Sequence, residues 1–433
     1  MAAPTPDLLR VTLAGSAIPA TVRPGFSRTW GVQLVSDMWL TFNTGEVMIS
    51  LSVTPEAVAQ YITAELDGTR LLVRVDQQMP AYGSFSLRLD ATSSCAVLPL
   101  LLGPIQVRSC LPRPVTPAPW SREIALRGLA SALRINEAQD STSIIASCTW
   151  DPGVLMAAYL STPAMRQLLQ TIVPDGAPLR CVEVGCGCGI AGLALAASFP
   201  DARALLTDGD ASACALACKN VTSSGLSARV GVRALTWQEG GTADVADVAV
   251  QLGGPPNLVL AADVVYREST FSALVSTLAA LCDSKRSKKP DGSDTDGPAE
   301  ALFAYRPRVD DKHFFHMLHE EFLLTRLVAP AQAKPLLRNA LAADTSSCAP
   351  ADPSPELAEA TGSARSTTSS SDDEISPRGS DALDPSAAAP CMIYRLTRRE
   401  VRQPCVHCRV CMQRRAASKL LKRPVLGSAG QAG

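Results

Sequence analysis

A glycine-rich turn between an apolar strand and an apolar helix constrains the fold of this chain more than any other stretch. A strand is predicted at Cys181–Val184, glycine then occupies every second position of Gly185–Gly189, and a helix is predicted over Gly189–Ser198. A second strand, Ala204–Thr207, ends beside Asp208. Glycines let the backbone turn sharply, and free N–H groups at a helix start can meet a polar or anionic ligand. A carboxylate about twenty residues further on can accept both hydroxyls of a ribose. The stretch therefore indicates a nucleotide-type site.

Strands and helices go on alternating after this turn, which predicts a parallel sheet covered by helices on both faces. The further predicted helices are Ala211–Thr222, Thr270–Leu281 and Lys312–Phe322, and the further strands are Arg229–Leu235, Leu258–Ala262, Leu302–Tyr305 and a closing Cys391–Leu396. Another helix is predicted to begin near Asp151 and Pro152. Proline is tolerated in a first helical turn, and apolar residues recur there at helical spacing.

Residues 1–120 are predicted to form a β-rich region, and no chemical motif assigns it a role. Apolar and polar residues alternate in short stretches that Gly, Pro and Asp separate, namely Met38–Phe42, Val47–Val53, Arg70–Val75 and Ser84–Leu89. Alternation of this kind is typical of half-buried strands. We expect a structural or partner-binding module. Another alternating stretch, Ala125–Ile135, lies at the start of a core predicted at 121–330.

Composition narrows the broad class of protein. The 433 residues are 46% hydrophobic and 19% charged, which allows two or three domains. A net charge of −1 gives no general attraction to polyanions. We expect no membrane span and no signal peptide, since no long apolar run and no basic-then-apolar N-terminus is present. Fourteen scattered cysteines favour free thiols in a reducing compartment. We expect a monomer in the cytoplasm, with the nucleus as a second compartment.

Polar, low-complexity segments interrupt the predicted core. Residues 283–300 are predicted to be a solvated loop. Residues 331–389, rich in Ala, Pro, Ser and Asp, are predicted to be disordered, because they cannot bury enough apolar surface to offset their ordering entropy. The closing strand is predicted within 390–399, and a basic tail follows at 400–433.

Two groups of potential metal ligands are not expected to bind metal. His313, His316 and His319 lie three residues apart on a predicted helix and indicate a solvated face. The tail holds a compact set of four residues, Cys405, His407, Cys408 and Cys411. Most zinc modules have a second, distant pair of ligands, which this set lacks. The basic residues around it could direct the protein to the nucleus or bind an acidic partner or RNA. They could equally form a solvated tail without a function.

The glycines alone do not define the cofactor. The dinucleotide pattern G-x-G-x-x-G fails when counted from Gly185, because Ile190 takes the sixth position. Counted from Gly187, the pattern fits by spacing at Gly192, so the glycines leave a nicotinamide or flavin frame open. The acid directly before the turn, Glu183, favours a methyltransferase turn.

Several further motifs follow one another in a characteristic order along the chain. They are Cys148–Asp151 with Tyr159 and Leu160, Glu183–Gly189, Thr207 and Asp208, Lys219–Val221, Leu235–Trp237, Leu258–Tyr266, Ala304–Arg308 with Phe314, Phe315 and Phe322, and Ile393 with Tyr394. In this order they resemble class I, seven-strand methyltransferases, and most closely the family-16 group of protein-lysine methyltransferases. The resemblance covers 121–330 and 390–399, about half the chain. It implies a Rossmann-like α/β fold with a seven-stranded sheet, beside the β-rich N-terminal region and the disordered inserts.

The resemblance implies S-adenosyl-L-methionine as the cofactor. Gly185, Cys186 and Gly187 would line its methionine part, and Asp208 would bind its ribose. An acid at the place of Glu183 commonly steadies the turn or meets the methionine amino group.

Five further residues receive roles from the resemblance. Trp237 and Ala262 would flank the adenine, and Trp150 would close over the cofactor. Asp263 and Tyr266 follow a strand at its carboxyl end, where open α/β sheets bind ligands. They would face the methyl-transfer site as the catalytic pair, although core packing is the alternative for both tryptophans and for Tyr266.

The leading hypothesis is methyl transfer from S-adenosyl-L-methionine to lysine side chains of a non-histone protein. The first alternative is a methyltransferase that acts on a small molecule or on nucleic acid. Asp263–Tyr266 differs from the N/D-P-P-Y signature of many enzymes that methylate nucleic-acid amines, so nucleic acid is expected only at the basic tail. The second alternative is a non-catalytic binding module that keeps the fold.

Overall fold

The computed structural model describes fourteen stretches of the chain. They are 8–14, 17–36, 48–67, 69–80, 82–93, 95–112, 114, 116–138, 145–173, 176–239, 243–283, 299–307, 311–341 and 390–399. The strand predicted at Met38–Phe42, nearly all of the loop at 283–300, and the four potential metal ligands of the tail lie outside the described residues.

The first third of the chain consists almost entirely of strands. These are β1 (Leu8–Ala14), β2 (Thr21–Val22), β3 (Ser27–Val35), β4 (Met48–Thr54), β5 (Ile62–Asp67), β6 (Arg70–Val75), β7 (Ser84–Thr92), β8 (Ala96–Leu98), β9 (Leu100–Val107), β10 (Trp120–Ile124) and β11 (Leu133–Glu137), with one short helix, α1 (Glu56–Ala59). One sheet has the order β5-β6-β3-β1-β8, and a second has the order β11-β10-β9-β7-β4, with β2 beside β9. An apolar core that includes Trp30, Leu71, Phe85 and Ile105 holds strands of both sheets together. The predicted β-rich character is confirmed.

The boundary predicted after residue 120 is wrong for this sheet. Strands β10 and β11, at 120–137, pair with each other and continue the second N-terminal sheet through β9. The alternating stretch Ala125–Ile135 is also not a single strand, because residues 125–132 connect β10 to β11. The hairpin shares its apolar face with the rest of the chain, since Ile124 and Ile135 belong to the same buried cluster as the helices that follow.

The remaining elements alternate between helix and strand. They are α2 (Asp151–Leu160), α3 (Pro163–Ile172), β12 (Arg180–Val184), α4 (Ile190–Ser198), β13 (Arg203–Asp208), α5 (Ala211–Ser223), β14 (Val230–Ala234), α6 (Ala243–Leu252), β15 (Leu258–Ala262), α7 (Phe271–Cys282), β16 (Glu300–Tyr305), α8 (Lys312–Glu321), β17 (Phe322–Val328), α9 (Pro330–Leu341) and β18 (Met392–Arg398). Single turns of 3₁₀ helix lie at Ile145–Ser147 and Glu268–Thr270.

Seven of these strands form one sheet in the order β14-β13-β12-β15-β16-β18-β17. The first five are parallel, and β18 runs antiparallel between β16 and β17. Side chains along β15 alternate between two cores: Leu258 and Leu260 face the core shared with α2, α4 and α5, whereas Val259 and Ala261 face the core shared with α6, α7 and α8. The predicted seven-stranded α/β sheet with helices on both faces is confirmed.

The last part of the chain differs from the prediction. The helix expected to end at Phe322 ends one residue earlier, and Phe322 begins β17, which was not predicted. Residues 331–341 were expected to be disordered, but they form most of α9. This helix is ordered by burial of Ala333, Leu337 and Ala340 against the core. Tertiary contact therefore overrides a sequence that is locally rich in alanine and proline.

No helix of the described residues is long and apolar enough to cross a membrane.

We predict that Gly192→Ala destabilises the protein although the site is helical. Alanine normally favours a helix by about 1 kcal/mol over glycine. Here, however, a Cβ would lie 2.2 Å from Leu206 Cδ2 and 2.8 Å from Glu183 Oε2. Both neighbours are buried, so the free energy of unfolding in urea should fall by about 1–3 kcal/mol.

The matched control is Gly209→Ala, where the nearest atom to the new Cβ lies 3.7 Å away. Its free energy of unfolding should stay within about 0.5 kcal/mol of the wild-type value. A Gly192→Ala protein that unfolds at the wild-type urea concentration or above would contradict the close packing of α4 on the sheet.

Candidate active site

A cavity of about 560 Å³ opens at the carboxyl ends of β12, β13 and β15. Strand order reverses around β12, and open α/β sheets bind their ligands at such a point. All ten residues singled out in the sequence line the cavity: Trp150, Glu183, Gly185, Cys186, Gly187, Asp208, Trp237, Ala262, Asp263 and Tyr266. Parallel strands bring their carboxyl ends to one edge, so residues far apart in sequence meet there. Their individual roles stay predictions.

The glycine turn has a backbone that other residues rarely adopt. Gly185, Gly187 and Gly189 have φ angles of 64°, 50° and 79°, which lie in the left-handed region that favours glycine. A Cβ at Gly185 would also lie 2.7 Å from Val264 Cγ1 and 3.0 Å from Trp237 Cζ2. Glycine is therefore required at this position both by conformation and by space.

Asp208, the last residue of β13, is hydrogen-bonded to the turn. Its Oδ2 accepts from the Gly187 N–H at 2.9 Å, and its Oδ1 accepts from the Asp210 N–H at 3.0 Å. A carboxylate oxygen accepts more than one hydrogen bond. Since Asp208 lines the cavity, both oxygens keep acceptor capacity for a ligand.

Glu183 is a buried acid at the end of β12. Its side-chain Oε2 accepts from the Gly192 N–H at 2.8 Å, which ties strand β12 to helix α4. Burial, followed by the charge of Asp208, raises the pKa of the Glu183 carboxyl to about 8. The side chain is therefore largely protonated at pH 7 in the cofactor-free protein. The bond to Gly192 supports the steadying role that the resemblance implies.

The indole ring of Trp237 forms an apolar wall of the cavity, and its N–H group is a hydrogen-bond donor. The residue lies just after β14, and the backbone of Leu235 anchors the segment by donating to the Asp208 carbonyl at 2.9 Å. The indole packs against Gly185. Its Nε1 is buried and has no hydrogen-bond partner among the described residues. A buried donor without a partner is rare in proteins and points to a ligand or water at this place.

Trp150 and Ala262 lie on two other walls of the cavity. Trp150 is the residue before α2, and its carbonyl accepts the first hydrogen bond of that helix from the Val154 N–H at 3.1 Å. Ala262 is the last residue of β15. Its small side chain leaves room for a flat ligand beside it.

Asp263 and Tyr266 lie at the mouth of the cavity. Asp263 has a φ of 57°, and its N–H donates to the Ala304 carbonyl at 3.0 Å. Non-glycine residues with a left-handed backbone conformation cluster at functional sites. Tyr266 is 39% exposed, and burial of the rest of its ring raises the pKa of its phenol. The guanidinium of Arg267 lies 5.9 Å from the centre of the Tyr266 ring.

Sequence reasoning missed two charged residues of the cavity, Asp210 and Arg267. The Asp210 carboxylate caps α5 by accepting from the N–H groups of Ser212 and Ala213. An aspartate directly before a predicted helix is a capping signal and could have been recognised. Arg267 has no such signal beyond its place next to Tyr266.

The comparisons with known proteins agree with this geometry. A family model described as lysine methyltransferase matches residues 129–321. Protein-lysine N-methyltransferase EFM6 of Saccharomyces cerevisiae is 30% identical over 182 residues, which cover 40% of this chain and 69% of that protein. Protein N-lysine methyltransferase METTL21A of Mus musculus is 26% identical over 187 residues, covering 42% and 71%. UPF0665 family protein C23C4.06c of Schizosaccharomyces pombe is 27% identical over 173 residues, covering 40% and 45%.

The strand order, the glycine turn and the acid at the end of β13 define a class I methyltransferase that depends on S-adenosyl-L-methionine. The chain belongs to the lysine methyltransferase family. The matched region begins in the connection between β10 and β11, so β1–β10 lie outside it.

The residues at the site fit this cofactor. The cavity volume lies within the usual range of about 300–1,000 Å³ for cofactor sites. The buried Nε1 of Trp237 offers a donor beside the adenine position that the resemblance implies. Asp208 offers two oxygens at the place expected for a ribose, and the left-handed glycines let a ligand approach the backbone.

We predict that the cofactor-free protein loses stability as the pH rises towards 8. The pKa of Glu183 is raised to about 8 in the folded state, whereas a glutamate in an unfolded chain has a pKa of about 4.3. Between these values the folded state holds a proton that the unfolded chain has lost. The free energy of unfolding should therefore fall by up to about 1.4 kcal/mol per pH unit.

Urea denaturation at pH 5.5, 6.5 and 7.5 measures this slope. Glu183→Gln should flatten it, because the amide keeps an acceptor for Gly192 and does not titrate. The exposed Glu239→Gln serves as the control and should keep the wild-type slope. If Glu183→Gln and the wild type lose stability in parallel, Glu183 is not the titrating group.

Proposed function

We propose that this chain transfers the methyl group of S-adenosyl-L-methionine to lysine side chains of a non-histone protein. The observation that carries the proposal is that Asp263 and Tyr266 line the same cavity as the residues assigned to the cofactor. The names of two relatives, both protein-lysine methyltransferases, support the same substrate class.

The glycine turn and Asp208 hold the cofactor in this proposal. When bound, S-adenosyl-L-methionine supplies an electrophilic methyl group on its sulfonium. The Asp208 carboxylate accepts the ribose hydroxyls, and its bond from Gly187 fixes the orientation of its oxygens. Gly185, Cys186 and Gly187 allow the methionine part to lie against the backbone. Positioning of this kind supplies much of the rate of a displacement reaction, because reactants held in line need not find each other.

Aromatic side chains exclude water from the transferred group. Trp237 and Ala262 would flank the adenine, and the Trp237 Nε1 would be a donor available to the base. Trp150 closes over the cofactor from the start of α2. A dry site strengthens the hydrogen bonds that orient the reactants.

Asp263 and Tyr266 receive the target lysine. Asp263 orients the incoming amine, and the half-exposed ring of Tyr266 forms one wall of its channel. A free lysine has a pKa of about 10.4, so the amine must lose a proton before it can attack. Desolvation against an apolar wall lowers the pKa of an amine and favours this loss.

The charges of the lining support a cationic substrate. Among the described residues of the cavity, four are acidic and one is basic: Glu183, Asp208, Asp210 and Asp263 against Arg267. With Glu183 largely protonated at pH 7, three carboxylates remain against one guanidinium. A cleft with this excess attracts a lysine-bearing segment and repels phosphates.

We also propose that the protein works in the cytoplasm, with the nucleus as a second compartment. Among the described residues, six cysteines are free thiols, namely Cys110, Cys181, Cys186, Cys188, Cys214 and Cys218. Free thiols in this number support a reducing compartment.

We predict that Asp208→Asn and Asp263→Asn fail in different ways. Asp208→Asn should weaken binding of S-adenosylhomocysteine, measured by calorimetry, by about 10–100-fold, because it replaces a charged acceptor with a neutral one. Asp263→Asn should leave this affinity within twofold and lower methyl transfer by about 100-fold. Asparagine tolerates the left-handed backbone at position 263, so the fold is kept.

Transfer is measured with tritiated cofactor and cell lysate. Wild-type protein should label protein bands, and the exposed Asp201→Asn should match it as the control. Label in RNA or small metabolites would overturn the substrate class. A protein that binds S-adenosylhomocysteine but labels no lysate fraction would overturn catalysis and leave a binding module.

A further inference from the structure

The N-terminal β-rich region sends one buried side chain to the wall of the cofactor cavity. Arg10 lies on β1, whose backbone is fixed between β3 and β8. Its Nη2 lies 2.6 Å from Asp151 Oδ1 and donates to the Thr149 carbonyl, also at 2.6 Å. Both side chains are almost completely buried, with 4% of Arg10 and none of Asp151 exposed.

Arg10 therefore contacts the two residues on either side of Trp150. Thr149 and Trp150 both line the cavity. The Thr149 carbonyl belongs to the peptide bond that leads into Trp150, and Asp151 is the first residue of α2. Both contacts come from one nitrogen of the guanidinium, Nη2, so a single group holds both ends of this segment.

A second buried pair fixes the other side of Thr149. The Thr149 N–H donates to Glu137 Oε1 at 2.9 Å, and its hydroxyl donates to the same oxygen. Glu137 is itself paired with Arg122, whose Nε lies 2.9 Å from Glu137 Oε2. Arg122 in turn donates to the Val11 carbonyl on β1 at 2.8 Å. The segment before Trp150 is thus held from two strands of the N-terminal sheets.

Asp151 has a second cationic partner besides Arg10. Asp151 Oδ2 is already paired with Arg306, whose Nη2 lies 2.8 Å away. The buried cluster formed by these side chains contains three arginines, Arg10, Arg122 and Arg306, against two acids, Glu137 and Asp151. Burial, followed by the like charge of Arg10, lowers the pKa of the Arg122 guanidinium.

We propose that Arg10 is a positioning residue of the cofactor site, which sets the place of Trp150 through Thr149 and Asp151. The N-terminal β-rich region thereby completes the site of the methyltransferase core. The inference rests on the proposed function for the role of Trp150 as the side chain that closes over the cofactor.

A purely structural role is the competing explanation. In that case Arg10 joins β1 to α2, and its loss lowers stability without changing the cavity once the protein is folded. Removal of Arg10 leaves Asp151 paired with Arg306, so no buried carboxylate is left unpaired. A folded variant is therefore expected, and the two roles can be separated by binding.

The first experiment measures binding of S-adenosylhomocysteine to the full chain by calorimetry. Arg10→Met should raise Kd at least tenfold at a temperature where circular dichroism shows the variant folded. Arg10→Lys should recover part of this loss, because it keeps a cation beside Asp151. The matched control is Arg88→Met, which removes an arginine from β7 that is paired with Asp90 and Glu123, far in the chain from Thr149. Its Kd should stay within twofold of the wild-type value.

The second experiment is a double-mutant cycle with Trp150→Phe. If Arg10 acts by placing Trp150, the tenfold effect of Arg10→Met should shrink to less than threefold in the Trp150→Phe background. If Arg10 contributes only to stability, Arg10→Met should instead raise Kd by the same factor in the wild-type and Trp150→Phe backgrounds. If Arg10→Met does not fold, the same cycle is run with Arg10→Lys, and a Kd equal to that of the wild type overturns the proposal.

The outcomes distinguish this inference from the proposed function. If wild-type protein binds no S-adenosylhomocysteine, the proposed function fails, and the inference fails with it. If wild-type protein binds but Arg10→Met binds equally well, or the cycle is additive, only the positioning role is overturned. A loss confined to Arg10 variants and coupled to Trp150 supports it.

Discussion

The close approach of helix α4 to the sheet is the constraint on which the cofactor site depends. Gly192 leaves no room for a Cβ, which would lie 2.2 Å from Leu206. Because α4 lies this near, the Gly192 N–H reaches the buried carboxyl of Glu183. The same approach lets the turn before α4 meet the next strand, since the Cys186 N–H donates to the Thr207 carbonyl at 2.9 Å. Asp208, at the end of that strand, then accepts a hydrogen bond from the Gly187 N–H.

Two buried acids near this cavity, Glu183 and Glu137, differ in whether they are charged. Glu183 has a backbone partner but no cationic partner among the described residues, so its burial favours the protonated form. Glu137 is equally buried, yet Arg122 and the two donors of Thr149 lower its pKa despite desolvation. The first acid can change its protonation near neutral pH, whereas the second remains charged and holds a fixed geometry.

Local patterns in the sequence were enough to predict six of the seven strands of the sheet and ten of the residues that line the cavity. The stretch from Cys181 to Asp208 carries its own periodicity, glycines and terminal acid, and parallel strands must bring their carboxyl ends to one edge. For this stretch, the place of each residue at the edge of the sheet therefore follows from its order along the chain. The same reasoning failed at 331–341, because α9 is ordered by Leu337 and its neighbours packing on a distant surface rather than by local propensity. It also failed at β10 and β11, because the pairing of β10 with β9 cannot be identified from the alternation of either strand.

Long-range ionic contacts are the part of the site that no local pattern could predict. Arg10 and Thr149 are 139 residues apart, and Arg306 and Asp151 are 155 apart. Each arginine, taken alone, resembles the many that are solvated, because arginine is rarely fully buried without a partner. Asp151 follows Trp150 at a helix start, where an acid is already explained by the helix dipole. Only the folded chain shows that this carboxylate lies between two guanidiniums, one of them from a region without any chemical motif. A β-rich region that carries no signature of its own can therefore still share in building the site.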